Sequence, residues 1–100
     1  MQLRYTRDAA RDLAEIAAYI AEKNPDRARS FVADIKDRCW SLKDFPFRHP
    51  AVPDIGESVR RCNMGAYNIY YFTISGEIVV FAILQRHRHQ RNVLEGRERS

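Results

Sequence analysis

In this 100-residue chain, the side chains best suited to anion binding and proton transfer fall into two cationic groups. The first is Arg60 and Arg61, and the second consists of Arg86, His87, Arg88, His89 and Arg91. Arginine binds phosphate or carboxylate with two parallel hydrogen bonds, and a histidine that titrates near neutral pH can give or take a proton. Attack by an RNA 2′-hydroxyl and departure of a 5′-oxygen require such groups. A charged, solvated end of a sheet explains the same residues, and composition alone favours that explanation.

Metal and cofactor chemistry has weaker support in the sequence. His87 and His89 are two residues apart, so on a strand they would lie on the same face. Two histidines without a nearby carboxylate make a poor metal site. Neither a glycine-rich phosphate loop nor a pair of catalytic carboxylates can be identified. We therefore expect no metal and no cofactor.

Three predicted β-strands position the cationic groups. Tyr67–Ile74 and Glu77–Gln85 are runs of β-forming residues separated by Ser75-Gly76, a dipeptide that suits a two-residue hairpin turn. A shorter strand at residues 58–64 precedes them, across a reversal at Gly65-Ala66. The strands therefore form an antiparallel meander, in which the two cationic groups could share one face.

Both faces of this meander are predicted to be apolar. If the turn is regular, the pairs are Phe72 with Val79 and Tyr70 with Phe81 on one face, and Tyr71 with Val80 and Ile69 with Ala82 on the other. The chain offers only two good helices, which can cover one face. The other face is predicted to lie open until a partner covers it.

The two helices follow a short strand at residues 2–5. Thr6 is placed to cap the first helix, at about residues 7–23, in which Asp12 falls on the predicted solvent side. Six alanines between positions 9 and 21 would let another helix approach closely, although alanine is also simply the best helix former.

Asn24-Pro25 ends the first helix and begins a second, at about residues 25–43. Trp40 lies near the edge of its apolar stripe, where a core or rim position is expected. Residues 45–57 contain three of the four prolines, so an ordered surface loop is predicted, with His49 inside it. The fold class is α+β in the order β-α-α-β-β-β, as one domain over residues 1–100 with a frayed tail from about residue 92.

Charge and cysteine content indicate the environment. The formal charge is +4; residues 1–44 carry nine Lys/Arg against eight Asp/Glu, whereas residues 86–100 carry five Arg against two Glu. The excess in the tail favours an acidic or polyanionic partner there, or a merely solvated terminus. Cys39 and Cys62 are interpreted as buried free thiols in a reducing cytoplasm, and neither export nor membrane insertion is expected.

With this order of elements, the chain resembles the ParE/RelE superfamily of toxins from bacterial type II toxin–antitoxin modules over nearly its whole length. The most specific part, residues 56–71, is similar to the family's Gly-x-x-Leu-Arg followed by Gly-x-Tyr-x-Ile-x-Tyr. Val59 replaces the usual leucine and Arg60 matches the family arginine. Four further residues are in register: Gly65, Tyr67, Ile69 and Tyr71. These motifs mainly determine the fold, so they support membership more firmly than a particular target.

The resemblance implies one of two activities. ParE-like members poison DNA gyrase by binding, and Arg60, Arg86, Arg88 and Arg91 would then contact the target. RelE-like members are endoribonucleases that cut messenger RNA on the ribosome, and the catalytic residues would then be Arg60, Arg61, His87 and His89. The chain lacks the lysine-rich character and the tyrosine after the last strand that many RelE-like nucleases show, so the non-enzymatic ParE-like reading is preferred. A decayed toxin that serves as a scaffold is a third possibility.

The resemblance also implies a partner for the open face. In such modules the C-terminal segment of the antitoxin wraps the toxin and adds a helix and often an extended strand. A ParD-like antitoxin in a cytoplasmic hetero-oligomer is therefore expected. Its predicted contacts are Tyr70, Phe72, Phe81 and Ile83.

Overall fold

The computed structural model describes residues 1–86 and 90–97, so His87, Arg88 and His89 lie outside the described residues. The elements in chain order are β1 (Gln2–Tyr5), α1 (Arg7–Ala21), α2 (Pro25–Ser41), β2 (Arg60–Met64), β3 (Tyr67–Ile74), β4 (Glu77–Gln85) and α3 (Gln90–Glu95). The predicted order β-α-α-β-β-β is confirmed, and α3 is an addition that the sequence did not predict.

The helical hairpin forms where the capping residues place it. The Ala9 N–H donates to Thr6 Oγ1 at 3.2 Å, and the Arg27 N–H donates to Asn24 Oδ1 at 3.0 Å. Both contacts satisfy amide groups that a helix start leaves without an intrahelical partner. Pro25 occupies the first turn of α2, where its missing N–H costs nothing. Each helix ends two residues earlier than predicted.

The strands form one mixed sheet in the order β1-β4-β3-β2. β1 is parallel to β4, and the other pairs are antiparallel. Ser75 and Gly76 have φ values of 48° and 77°, which identifies the predicted turn as the primed type that suits the twist of a hairpin. The β3–β4 hairpin therefore has the turn that the Ser75-Gly76 dipeptide predicts.

An irregularity in the hairpin changes the pairing beyond this turn. Phe72 pairs with Val79 and Tyr71 with Val80, as predicted, but the register shifts between Tyr70 and Tyr71. Tyr70 consequently lies opposite Ala82 instead of Phe81, and Ile69 opposite Ile83. Because one extra residue in a strand reverses the faces that follow it, Ile83 lies on the opposite face from the one predicted.

Two apolar cores lie on the two faces of the sheet. The helix-side core contains Ala9, Leu13, Phe31, Ile35, Cys39, Leu42, Cys62, Ile69, Tyr71, Ile78, Val80 and Ile83. The second core contains Val59, Tyr70, Phe72, Val79, Phe81, Ala82, Leu84 and Leu94, with Val52, Ile55 and Val93 packed against it. The loop before β2 and α3 thus cover the face that the helical hairpin does not.

The predicted open face is therefore wrong. Tyr70, Phe72 and Phe81 are 1%, 7% and 0% exposed, and Ile83 is 1% exposed on the helix side. None of the four offers a surface to an antitoxin in this conformation. The prediction treated residues 45–57 and the tail as surface segments, but Val52 and Ile55 of the loop and Val93 and Leu94 of the tail pack onto the sheet.

The C-terminal tail packs against the rest of the chain at residues that were predicted to fray. Leu94 is buried, and Arg97 donates through Nη1 and Nη2 to the two carboxylate oxygens of Asp12 at 2.5 and 2.7 Å. The Ile83 N–H donates to the same carboxylate at 2.9 Å. Asp12, predicted to face solvent, is thus a buried acceptor that joins α1, β4 and the tail. The prediction of fraying is wrong for residues 92–97.

Candidate functional site

Arg60 holds the loop that precedes β2. Its Nη1 donates to the carbonyl oxygens of His49 at 2.7 Å and Phe47 at 3.1 Å. The guanidinium carbon lies 5.4 Å from the centre of the Phe47 ring. This arginine, matched to the family position on sequence, is engaged mainly with main-chain carbonyls. Its described contacts are structural.

Tyr71 pairs with Arg60 on the neighbouring strand and contacts the same loop. Its hydroxyl donates to the carbonyl oxygen of Pro46 at 2.7 Å, and its ring meets His49 edge to face at 6.2 Å. Burial raises the pKa of Tyr71 to about 12, against the opposing effect of Arg60. The phenol therefore stays protonated at neutral pH and acts as a hydrogen-bond donor to the loop.

His49 lies in a positive environment. Burial lowers its pKa first, and the nearby charges of Arg48, Arg38 and Arg60 lower it further. Because each of these effects disfavours the imidazolium, the ring is neutral at pH 7. The loop thus presents an uncharged histidine among arginines.

We expect His49 to titrate below its ordinary value of 6.5. An NMR titration should show this, with the His49 resonance assigned by its loss in His49→Gln. Arg48→Gln should raise the midpoint, because one repelling charge is gone. Since the unfolded chain takes up the proton near pH 6.5, the free energy of unfolding should decrease as the pH falls below that value. A wild-type midpoint at or above 6.5 would contradict the prediction.

The two predicted cationic groups do not come together. The first and third strands of a meander run parallel, with the second strand between them, so the start of β2 lies at the same end of the sheet as the start of β4. Arg60 pairs with Tyr71, and Met64, at the other end of β2, pairs with Tyr67, which in turn pairs with Gln85. Four residues of strand, about 13 Å, separate the two ends. Arg60 and Arg86 therefore do not form one compact site.

The other predicted site residues are separated as well. Arg61 follows Arg60 in β2, so its exposed side chain lies on the opposite face of the sheet. Arg86 is exposed, and its N–H donates to the Ala66 carbonyl at 2.8 Å. Arg91 lies on α3 and pairs with Glu95 at 2.9 Å. The predictions for His87, Arg88 and His89 fall outside the described residues.

An apolar groove of about 340 Å³ runs between the two long helices beside the sheet edge. It is lined by Tyr5, Ala10, Leu13, Ala14, Ala17, Val32 and Lys36. Three of the alanines noted in the sequence form its floor and wall, and their small side chains create the space. β1 borders it, because Tyr5 is the last residue of that edge strand.

The described residues provide neither a reactive Cys39 thiol, nor a metal site, nor a membrane-spanning helix. Burial raises the pKa of the Cys39 thiol to about 11, so it is protonated and unreactive at neutral pH. Within residues 1–86 and 90–97, no group of three His, Cys, Asp or Glu side chains is placed to hold a metal ion. The described helices include none that is both long and apolar enough to cross a membrane.

Comparison with known protein families gives a match that spans most of the chain. Residues 3–90 match the ParE toxin of the type II toxin-antitoxin system, parDE. The chain belongs to the ParE toxin family. The resemblance recognised in residues 56–71 is thereby confirmed at the level of the family.

A solved structure supports the same fold for this ParE-family chain. A chain of the chromosomal ParDE TA system from P. aeruginosa superposes with a TM-score of 0.74 and 24% sequence identity. The similarity covers 85% of this chain and 95% of that one. No curated protein matches the sequence closely enough to count as a relative.

Three features of this ParE-family chain escaped sequence reasoning. The groove is a property of two helices together, and only the alanine spacing of α1 pointed to it. The Asp12 to Arg97 pair joins positions 85 residues apart, which no local pattern reveals. His49 was noted inside the proline-rich loop, but its arginine neighbours come from α2 and β2 as well as the loop.

Proposed function

We propose that this ParE-family chain inhibits DNA gyrase by binding it, and that a ParD-like antitoxin holds it inactive in the cytoplasm. The observation that carries the proposal is the family match over residues 3–90. The fold similarity to a ParDE system supports it. Poisoning by binding needs an exposed surface and no catalytic group.

The arrangement of the described cationic residues supports binding over RNA cleavage. A nuclease needs a phosphate-binding arginine beside a proton donor or acceptor. His49 lies near Arg60, but the Arg60 guanidinium already donates to the carbonyls of Phe47 and His49, and the Tyr71 phenol donates to a carbonyl. Arg86 lies at the other end of the sheet. A ribosome-dependent mRNA endoribonuclease is therefore the second outcome of the test.

A supercoiling assay beside a translation assay tests the proposal. Purified toxin should inhibit DNA gyrase, and the antitoxin encoded next to it should restore supercoiling. Messages translated in the presence of toxin should stay intact in primer extension. Unchanged supercoiling at high toxin concentration, with codon-positioned cuts that disappear in Arg60→Ala or His87→Ala, would establish the nuclease instead. Absence of any growth defect would favour a scaffold.

The apolar groove is the surface we propose for the antitoxin. Its lining is mostly aliphatic, so an apolar face of a helix would bury well there. β1 lies at the edge of the sheet beside it, so an extended segment could add a strand and continue into the groove. Together they match the helix and strand that antitoxins of this superfamily contribute.

Ala14→Arg should weaken antitoxin binding at least tenfold, because it places a long cationic side chain in an apolar groove. Ala33→Arg, at an exposed position of α2 outside the groove, is the matched control and should bind normally. Calorimetric titration of each variant with antitoxin measures the effect, and supercoiling inhibition by Ala14→Arg should persist. Equal affinities for the two variants would place the antitoxin elsewhere.

A further inference from the structure

A run of exposed aromatic rings extends from the end of α2 into the following loop. Trp40, Phe45 and Phe47 are 62%, 59% and 62% exposed. Trp40 was expected in the core or at its rim, and the structure places it in solvent. We call these three rings, with Lys43 and Arg48 between and beside them, the aromatic–cation ridge.

A cation faces each ring of the ridge. Lys43 Nζ lies 3.7 Å from the centre of the Trp40 ring, and the guanidinium carbon of Arg48 lies 5.1 Å from that of Phe45. Arg60 stands over Phe47 in the same manner. Cation–π contacts of this kind hold both partners in defined positions. The ridge thus alternates flat apolar surfaces with positive charges.

Main-chain hydrogen bonds order the segment that carries the ridge. Turn hydrogen bonds join the Lys43 N–H to the Trp40 carbonyl and the Arg48 N–H to the Phe45 carbonyl, both at 3.2 Å. Arg60 fixes the Phe47 carbonyl from the sheet. A surface held in this way loses little conformational entropy when a ligand binds. Burial, and after it the charges of three nearby arginines, lower the pKa of His49, so several positive charges lie at this end of the molecule.

We propose that the aromatic–cation ridge binds single-stranded nucleic acid, with bases stacked on its rings and phosphates at Lys43 and Arg48. Such proteins combine stacking platforms with cations that follow the backbone. Asp44 is the one acidic residue between positions 40 and 48. An acidic protein segment would need the cations alone, whereas the three exposed rings favour a ligand with π-faces. The inference does not depend on gyrase being the target.

Trp40 provides a direct measurement, because it is the single tryptophan of the chain. Oligothymidylate and oligouridylate of about 12 nucleotides should each quench its fluorescence to saturation. Comparing the two affinities shows whether the ridge prefers DNA or RNA. The logarithm of the affinity should fall with the logarithm of salt concentration by about 0.7 for each phosphate contact. If neither oligonucleotide gives saturable quenching at low salt, the proposal is overturned.

Variants separate stacking from general electrostatic attraction. Phe45→Ala combined with Phe47→Ala should weaken binding about tenfold or more. Lys43→Gln combined with Arg48→Gln should reduce the salt slope by about 1.4. Tyr19→Ala removes an exposed ring that lies on α1, outside the ridge, and should leave affinity unchanged. Urea unfolding verifies that each variant folds.

Two further outcomes count against the ridge. Equal affinity in the double phenylalanine variant and in Tyr19→Ala would show that the rings are not used. Polyglutamate that quenches Trp40 as strongly as the oligonucleotides would identify an acidic polypeptide as the occupant. Supercoiling assays on the same variants stay independent, because gyrase inhibition by the wild type tests only the proposed function.

Discussion

Asp12→Ala is expected to lower the free energy of unfolding by about 3–5 kcal/mol. The carboxylate is buried, accepts two hydrogen bonds from Arg97 and also accepts the Ile83 N–H. The hydrogen bond to Asp12 raises the pKa of Arg97. Without Asp12 the guanidinium is still charged at neutral pH, because arginine does not lose its proton in proteins. Alanine therefore leaves a largely buried cation without its counter-ion, although Arg97 still donates to the Phe81 carbonyl, and a buried amide without its acceptor. Urea unfolding measures the loss.

The controls distinguish this pair from an ordinary surface ion pair. Asp34 bonds Arg27 at 3.1 Å, but both side chains are about half exposed, so Asp34→Ala should change the free energy of unfolding by about 0.5 kcal/mol or less. Asp12→Ala combined with Arg97→Ala should cost less than the two single changes added, because removing both charges leaves neither uncompensated. A similarly small effect for Asp12→Ala and Asp34→Ala would contradict the proposed anchoring of the tail.

Local chemistry was sufficient to predict the elements. Thr6 and Asn24 have side-chain oxygens that cap helices, Pro25 suits a first turn, and Ser75-Gly76 adopts the positive φ values that a primed turn requires. Each of these preferences acts within four residues. The six predicted elements consequently appear in the right order, with strand bounds identical for β3 and β4.

The pairing and the coverage of the sheet could not be predicted in the same way. The residues around Tyr70 and Tyr71 carry no sequence signal for the register shift, which depends on how the two faces of the sheet pack. The burial of Val52, Ile55 and Leu94 depends on a loop and a tail that reach the sheet from distant parts of the chain. Long-range closure of this kind leaves no periodic pattern in the sequence.

The candidate site shows the same division between local and distant information. The strand directions alone place Arg60 and the end of β4 at opposite ends of the sheet, so this separation could have been derived from the predicted meander. The clamp made by Arg60 could not, because its acceptors are main-chain carbonyls of Phe47 and His49. A residue that matches a family motif can therefore have a structural role that the motif does not disclose.

Phe81→Ala should destabilise the protein by about 3–5 kcal/mol, because it empties the middle of the second core. Phe81 is 0% exposed, and its ring lies 5.6 Å from that of Phe72 and 6.5 Å from that of Tyr70. A sheet face that waited for a partner would expose this ring, and its removal would then cost little. The size of the loss thus decides whether the chain covers its own sheet.

Phe45→Ala is the matched control, since it removes the same side chain from a position that is 59% exposed. Its effect should be about 0.5 kcal/mol, as for most surface substitutions. Urea unfolding of both variants without antitoxin gives the comparison under one set of conditions. Equal and small losses would mean that the loop and α3 do not shield the second face in solution. An antitoxin would then again be the natural cover for Tyr70, Phe72 and Phe81.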